Sequence, residues 1–321
     1  MLGRWDAPIS KELQMVEDEI QRSILSRQKL LTEISMHVIG SGGKRIRPGV
    51  ALLSFKALGG DDVSEVIGIA AALELIHTAT LIHDDINDGG RMRRGKVSAF
   101  QKYGVQKALV AGDFLFVRGF RLGGPQNRAI VELLSDACTS MAESEVLQGD
   151  YANDPRTTTE TYLKIVEGKT ARPIEAGARV GAFLAGAAPG EIDALGSYGL
   201  NLGMAFQITD DILDVVGDEA ALGKPRGMDF YDGIPTLPLI LAMNDGANGK
   251  RISELFSKKR KTTKDLSEAF MLLEGSEGVR KARDIAHQYS VKALSAVDVV
   301  SDTVYKDALR ALAETVVERD A

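Results

Sequence analysis

Two short acidic patterns carry the chemistry that can be read from this chain: Asp84-Asp85-Ile86-Asn87-Asp88 and Asp210-Asp211-Ile212-Leu213-Asp214. Each sets aspartates at the first, second and fifth positions. On a helix, residues i and i+4 share a face, so Asp84 aligns with Asp88 and Asp210 with Asp214. Carboxylates stacked one turn apart repel, and one of them takes up a proton unless a counter-charge is present. Hard oxygen ligands of this kind suit Mg²⁺, which takes one or two carboxylates and completes its shell with water and phosphate oxygens. A single cluster would read as a solvated acidic helix end. Two clusters, each closing an apolar run and each with Lys or Arg nearby, point to Mg²⁺ ions gripping one polyphosphate between two helices.

Matched basic elements accompany them. In Gly42-Gly43-Lys44-Arg45-Ile46-Arg47-Pro48, Lys44 and Arg47 stand at i and i+3, on one helical face, and the glycines free backbone N–H groups to approach an anion. Arg93-Arg94-Gly95 follows the first acidic pattern, Lys169-Thr170 lies mid-helix, and Lys224 follows the second pattern. Arginine binds phosphate through a two-pronged fork and lysine acts as a point charge. Two anion sites are expected, one bridged by metals and one held by bare cations. His77, Thr80, Asp84 and Asp88 fall near one face of a helix, since seven residues make almost two turns. Below the aspartates that helix offers Ala79, Thr80, Ile76 and Leu73. A polar head above an apolar shaft describes a diphosphate with a hydrocarbon tail; a plain core uses the same residue types.

The elements that must position these groups read as helical nearly throughout, with apolar residues at three- and four-residue spacing. No run of alternating β-branched residues predicts a strand. Residues 10–38 read as one or two amphipathic helices, and Arg47-Pro48 opens another. Ser64–Asp88 is apolar almost all round, the mark of a buried helix, and stops at Gly89-Gly90. A second buried helix is expected over 197–216, with others near 105–121, 128–152, 159–186, 235–245 and 262–319. Pro173 should kink one of them. Residues 218–235 form a Gly/Pro/Lys/Asp-rich loop fit for a lid. The run Lys258-Lys259-Arg260-Lys261 reads as a solvated turn.

Composition narrows the classes. The 321 residues show no linker and no repeat, so a single domain over 1–321 is expected. A net charge of -6 gives no support to nucleic-acid binding. One cysteine, Cys138, rules out an internal disulfide framework and reads as a small core residue. No apolar leader and no run of ~18 apolar residues is present, so neither a signal peptide nor a membrane span is expected. A cytoplasmic setting follows by default.

Taken together, these pieces resemble the trans-polyprenyl (isoprenyl) diphosphate synthase family. The resemblance runs from Gly42 to about Leu241. It rests on Gly-Gly-Lys-Arg-Ile-Arg-Pro, His-Asp-Asp-Ile-Asn-Asp, Arg-Arg-Gly, Gly112-Asp113, Glu167-Gly168-Lys169-Thr170-Ala171 and Phe206-Gln207-Ile208-Thr209-Asp210-Asp211-Ile212-Leu213-Asp214. It implies an all-α single-domain helical bundle around a deep central cavity, the isoprenoid synthase type I fold, usually as a homodimer. The implied reaction extends an allylic diphosphate by isopentenyl diphosphate, giving a medium- to long-chain product. By the same resemblance, Asp84, Asp85, Asp88, Asp210, Asp211 and Asp214 would bind three Mg²⁺ ions bridging the allylic diphosphate. Arg93, Lys169 and Lys224 would contact that diphosphate. Lys44, Arg47, His77 and Arg94 would hold isopentenyl diphosphate, and Thr170 and Gln207 would surround the allylic cation.

Chain length in this family is gated four and five residues before the first aspartate. Here those positions are the small Thr80 and Ala79, which implies products of about twenty carbons or more. The floor is expected deeper, at Ile76, Leu73, Met141, Phe114 or Phe116. Relatives usually carry lysine after the glycine of the lid's end; this chain has Ile234, with Arg226 as a candidate substitute. Two other readings stay open: a class I terpene cyclase, and a non-catalytic partner subunit of a heteromeric synthase. Terpene cyclases generally replace the second pattern with an Asn/Ser/Glu type, and partner subunits commonly lose one pattern. Both patterns are intact here.

Overall fold

The computed structural model describes residues 5–40, 42–93, 95–123, 127–217 and 226–319. The architecture is all-α. In chain order the helices are α1 (Ser10–Ser23), α2 (Lys29–Ile39), α3 (Ile46–Ala57) and α4 (Ser64–Asn87). A small antiparallel hairpin follows, β1 (Met92–Arg93) with β2 (Lys96–Val97), in register Met92↔Val97 and Arg93↔Lys96. Then come α5 (Ala99–Tyr103), α6 (Val105–Gly123), α7 (Arg128–Asp150) and α8 (Thr159–Val166). A π-helical turn (Glu167–Ala171) leads into α9 (Arg172–Leu184), followed by α10 (Pro189–Val216). The rest is α11 (Met228–Asp232), α12 (Leu237–Met243), α13 (Gly246–Phe256), α14 (Thr263–Glu274), α15 (Gly278–Ala296) and α16 (Val304–Val317).

The chain groups into two compact units. The first takes in the chain up to Asp136, Ala176–Gly196 and Val297–Ala311. Its centre is α4, packed most extensively on α6 and also on α3 and α1. Ile69 and Leu73 of α4 join Ala51, Ile130, Leu134 and Val180 in one buried cluster. α4 is long and apolar enough to cross a membrane, with a mean hydropathy of 1.6, yet 72% of that window is buried within the fold. The all-round apolar character of this helix therefore reflects burial in protein.

The second unit comprises Ala137–Glu175, Ser197–Ala296 and the chain from Leu312. Its core gathers Tyr162, Met204, Ile208, Ile212, Phe230, Leu237, Phe256 and Phe270 among others. α12 lies against α13 and α15. Thr158 caps α8 by accepting the Thr161 N–H, and Thr262 with Asp265 forms a reciprocal capping box on α14. Such caps fix helix starts by satisfying otherwise orphaned donors.

Several boundaries differ from the sequence reading. The expected helix over 262–319 is three helices, broken after Glu274 and Ala296. The expected 159–186 helix carries a π turn in place of a simple kink. Helix α10 starts eight residues earlier than expected, at Pro189; residue 197 lies in its interior. Helix α13 went unread because glycines open it, and glycine lowers helix propensity. The hairpin at 92–97 is too short for any alternation to register.

Candidate active site

The first aspartate set closes α4. Asp84 and Asp85 lie in its last turn and Asp88 is its C-cap, donating its N–H to the Asp84 carbonyl at 2.8 Å. Asp84 is half-buried and Asp88 exposed, while Asp85 is buried. Asp85 Oδ1 accepts two hydrogen bonds from Arg93 of β1, from Nε at 2.9 Å and Nη2 at 2.6 Å. Burial raises the Asp85 pKa, and the Arg93 guanidinium pulls the other way. The middle aspartate is thus paired with a chain cation, and Asp84 and Asp88 stand at i,i+4 spacing on either side of it. His83, one residue earlier, lies over Gly112 of α6, where a Cβ would come within 2.2 Å of its Nε2. That nitrogen lies 3.3 Å from the Leu109 carbonyl and 3.6 Å from Asp113. The Gly112-Asp113 motif therefore serves the helix that carries the aspartates.

Further down α4, Ala79 is fully buried and Ile76 is 5% exposed. Thr80 is half-buried, as is His77, whose carbonyl accepts the Thr80 hydroxyl at 2.9 Å. At the other end of the motif list, α3 begins only at Ile46, and Arg45 is left-handed at φ 49°. Lys44 therefore lies outside the helix, and the expectation that Lys44 and Arg47 share a helical face does not hold. Lys44 is exposed and Arg47, in the first turn, is half-buried. Arg45 is the structural member of the three cations: it pairs with Glu17 of α1 and with buried Glu74 of α4. Arg94 lies outside the described residues.

The second set closes α10 in a more enclosed setting. Asp211 is buried, with Oδ2 accepting the Tyr162 hydroxyl at 2.6 Å and Oδ1 accepting Gln207 Nε2 at 2.8 Å. Burial pushes its pKa up to about 7, Asp210 and Asp214 add to the rise, and the two hydrogen bonds oppose it. Gln207 Oε1 in turn accepts the Thr170 hydroxyl at 2.8 Å. Thr170, Gln207, Asp211 and Tyr162 thus form one chain. Asp210 Oδ1 accepts from Arg319 Nη1 at 3.0 Å, and the same guanidinium lies 4.7 Å from the Phe206 ring. Asp214 Oδ2 accepts the Asp229 backbone N–H at 3.2 Å.

The π turn that carries Lys169 and Thr170 has a local cause. Pro173 has no N–H to give, and the Arg172 N–H bonds five residues back to Glu167. Close glycine contacts fix the turn. A Cβ on Gly168 would come within 2.0 Å of Ser144 Oγ, and one on Gly203 of α10 within 2.5 Å of the Ala171 Cα. Lys169 Nζ is held by Glu145 at 2.6 Å and reaches Gln148 at 3.4 Å. Lys224 and residues 218–225 lie outside the described residues. Tyr162, Arg319, Glu145 and Phe206 were not picked out as site residues from sequence. Arg319 stands 109 positions from Asp210, and only the fold joins them.

Among the described residues, no three carboxylate, thiol or imidazole side chains converge on one point as a ready-made metal cage. Mg²⁺ does not require one. It commonly takes one or two carboxylates and keeps the rest of its shell for water and substrate phosphates. The outer pairs Asp84/Asp88 and Asp210/Asp214, all oxygen and each one turn apart, fit that donor set.

The Polyprenyl synthetase family profile matches residues 28–273. An octaprenyl diphosphate synthase of Escherichia coli is 36% identical over 313 residues, covering 97% of both chains. A short chain isoprenyl diphosphate synthase of Methanothermobacter thermautotrophicus is also 36% identical, over 321 residues, covering 97% of this chain and 98% of its own. A crystal structure of polyprenyl synthase from Caulobacter crescentus, complexed with calcium and isoprenyl diphosphate, superimposes with a TM-score of 0.95 at 35% identity, covering 100% of this chain and 98% of that one. The fold expected from the resemblance is therefore present, and the chain belongs to the polyprenyl synthetase family as a prenyltransferase.

Proposed function

We propose that the chain condenses isopentenyl diphosphate with an allylic diphosphate in a Mg²⁺-dependent reaction, by ionisation, condensation and elimination, to a trans-polyprenyl diphosphate of about twenty carbons or more. The observation that carries this reading is the second aspartate set. Its central carboxylate is fixed by Tyr162 and Gln207, and Asp210 and Asp214, held by Arg319 and the Asp229 N–H, form the stacked pair that metal would engage. When bound, Mg²⁺ would neutralise charge developing on the leaving diphosphate. Asp84, Asp85, Asp88, Asp210, Asp211 and Asp214 would hold it. Arg93, Lys169 and Lys224 would bind the allylic diphosphate, which requires Lys169 to exchange Glu145 for a phosphate oxygen. Lys44, Arg47, His77 and Arg94 would orient isopentenyl diphosphate, so that its double bond meets the cation from a fixed position. Thr170 and Gln207 would line the cation's surroundings, and exclusion of water would protect it.

Product length follows from Ala79 and Thr80, whose small side chains leave room for a growing tail. Relatives of equal identity include both an octaprenyl and a short chain synthase, so overall similarity does not set the length. The decisive experiment supplies radiolabelled isopentenyl diphosphate with several allylic primers, with and without Mg²⁺, and sizes the products. Pyrophosphate release that needs both substrates and Mg²⁺ supports the proposal. Release without isopentenyl diphosphate would identify a cyclase, and no release would identify a non-catalytic subunit. A homodimer is part of the same proposal. Val105, Leu109, Val110 and Val117 of α6 are 53, 46, 49 and 64% exposed, an apolar strip that a second copy could cover. Light scattering on the purified chain tests it.

A further inference from the structure

The run Lys258-Lys259-Arg260-Lys261 reads from sequence as a solvated turn, and for Lys261 that reading is wrong. Lys261 is 6% exposed. Its Nζ lies 5.5 Å from the centre of the Phe230 ring and 5.2 Å from that of Phe256, and both rings are buried. It donates a hydrogen bond to Asn153 Oδ1. Burial lowers its pKa, against the opposing charges of Asp232 and Asp265. Removing an ammonium from water is costly, so a buried lysine is retained where its partners answer for it. Here two of those partners, Phe230 and Asn153, lead to one short segment.

Asn153 is itself left-handed at φ 60°. Its N–H donates to the Gly233 carbonyl at 2.8 Å. Its side chain fills the space beside Gly233, where a Cβ would come within 2.3 Å of Oδ1. Gly233, at φ 81°, ends α11. At the opposite end of α11, the Gly227 N–H donates to the Asp214 carbonyl at 2.8 Å and the Asp229 N–H to Asp214 Oδ2 at 3.2 Å. Between the two ends, Phe230 of α11 lies beside Lys261. With five residues, α11 has too little helix of its own to persist without such anchors.

We propose that Lys261 is a positioning residue for the second aspartate set. Through Asn153, Gly233 and Phe230 it anchors α11, so that the first-turn N–H of Asp229 holds Asp214 in the orientation from which it meets metal and diphosphate. The ammonium matters because it holds the side chain of the left-handed Asn153, whose own N–H donates to the end of α11. This inference rests on the reading of Asp214 as a metal ligand.

The test uses the full chain with Lys261→Met, which keeps the apolar stem between the rings and removes the donor. Asn153→Gly keeps the left-handed backbone and removes the acceptor, and stands in should Lys261→Met not fold. In the metal-free protein, amide hydrogen exchange of 227–234 should speed up about tenfold in either variant, with the rest of the chain unchanged. The Mg²⁺ concentration at half-maximal turnover should rise about fivefold, while KM for isopentenyl diphosphate stays within about twofold. Unchanged exchange at 227–234, or equal acceleration along the whole chain, overturns the proposal. Asp214→Asn separates the two readings. A wild-type Mg²⁺ response in Asp214→Asn overturns the ligand reading and the proposal with it. A defective Asp214→Asn beside a Lys261→Met of normal Mg²⁺ response overturns the positioning role alone.

Discussion

The two aspartate sets share one pattern and differ in how they are held. At the end of α4, one arginine on a two-stranded hairpin meets Asp85, and Asp88 is exposed. At the end of α10, Tyr162, Gln207, Arg319 and the Asp229 N–H each engage a different oxygen, and both Asp211 and Asp214 are buried. The second set is fixed before any ligand arrives, as catalytic groups on rigid elements tend to be. The first depends on a partner that is 35% exposed and can let go. On the proposed function, the second set would hold its ligand in a preset geometry, and the first would tolerate adjustment.

The largest effect should come from removing one outer carboxylate of either set. Asp84→Ala and Asp210→Ala should each lower turnover by about 10³-fold or more, since a charge made to act in the transition state is lost. Circular dichroism should remain that of a helical protein. Near-normal turnover in either variant would break the symmetry of role and leave one set merely structural.

Next in size is the contrast between the middle aspartates. Tyr162→Phe strips a donor from a carboxylate that water cannot reach, and should cost about 1–3 kcal/mol of stability along with activity. Arg93→Gln leaves a neutral donor beside an arginine site that water already reaches. It should cost less than about 1 kcal/mol in stability while still lowering allylic-substrate use. Urea titrations of both variants check this. Equal losses of stability would show that the two sets are held alike after all.

Much of this was legible in sequence, for physical reasons. Acidic residues at i and i+4 after an apolar run announce a helix end, and the all-round apolar α4 signals a helix removed from water, with packing deciding that protein covers it. The motif carrying Lys169 and Thr170 was visible, and Pro173 marked the irregularity, but not its π form, which depends on the Arg172 N–H reaching Glu167. Arg319 sits in a polar tail where nothing local distinguishes it from surface charge. Lys261 stands among four basic residues, and composition favours solvent for all of them. Only packing against Phe230 and Phe256 selects one. Local periodicity encodes elements; which lone cation turns inward is a tertiary fact.

A third variant sharpens the comparison on its apolar side. If the helix of the first set also walls the growing tail, Ala79→Phe should shorten the product by at least one isoprene unit, because a ring at a fully buried position one turn below Asp84 fills the shaft. Gly203→Ala below the second set should not shorten it. There a Cβ meets the Ala171 backbone at 2.5 Å, so the expected cost is overpacking of about 1–3 kcal/mol with displacement of the π turn. Chromatographic sizing of products from both variants decides. An unchanged length in Ala79→Phe would mean that the tail runs elsewhere.

The smallest expected effect concerns the lysine that the family resemblance leads one to expect where this chain has Ile234. Ile234 is half-buried, and its N–H is engaged by the Asp229 carbonyl at 2.8 Å. Arg226, exposed and immediately before α11, holds its guanidinium 5.4 Å from the Phe270 ring. A cation–π contact at an exposed site is worth about 0.5–1 kcal/mol. A charge-assisted contact to phosphate is worth roughly 1.5–3 kcal/mol. The larger value wins, so a diphosphate within reach would draw Arg226 off the ring and recover part of the missing charge. Arg226→Ala should then raise KM for the allylic substrate several-fold with kcat nearly kept, and adding Ile234→Lys should restore much of the loss. Phe270→Leu, which removes the competing ring, should leave allylic KM equal or lower. Wild-type kinetics for Arg226→Ala with both substrates would assign Arg226 to the surface and end the case for its compensating at Ile234.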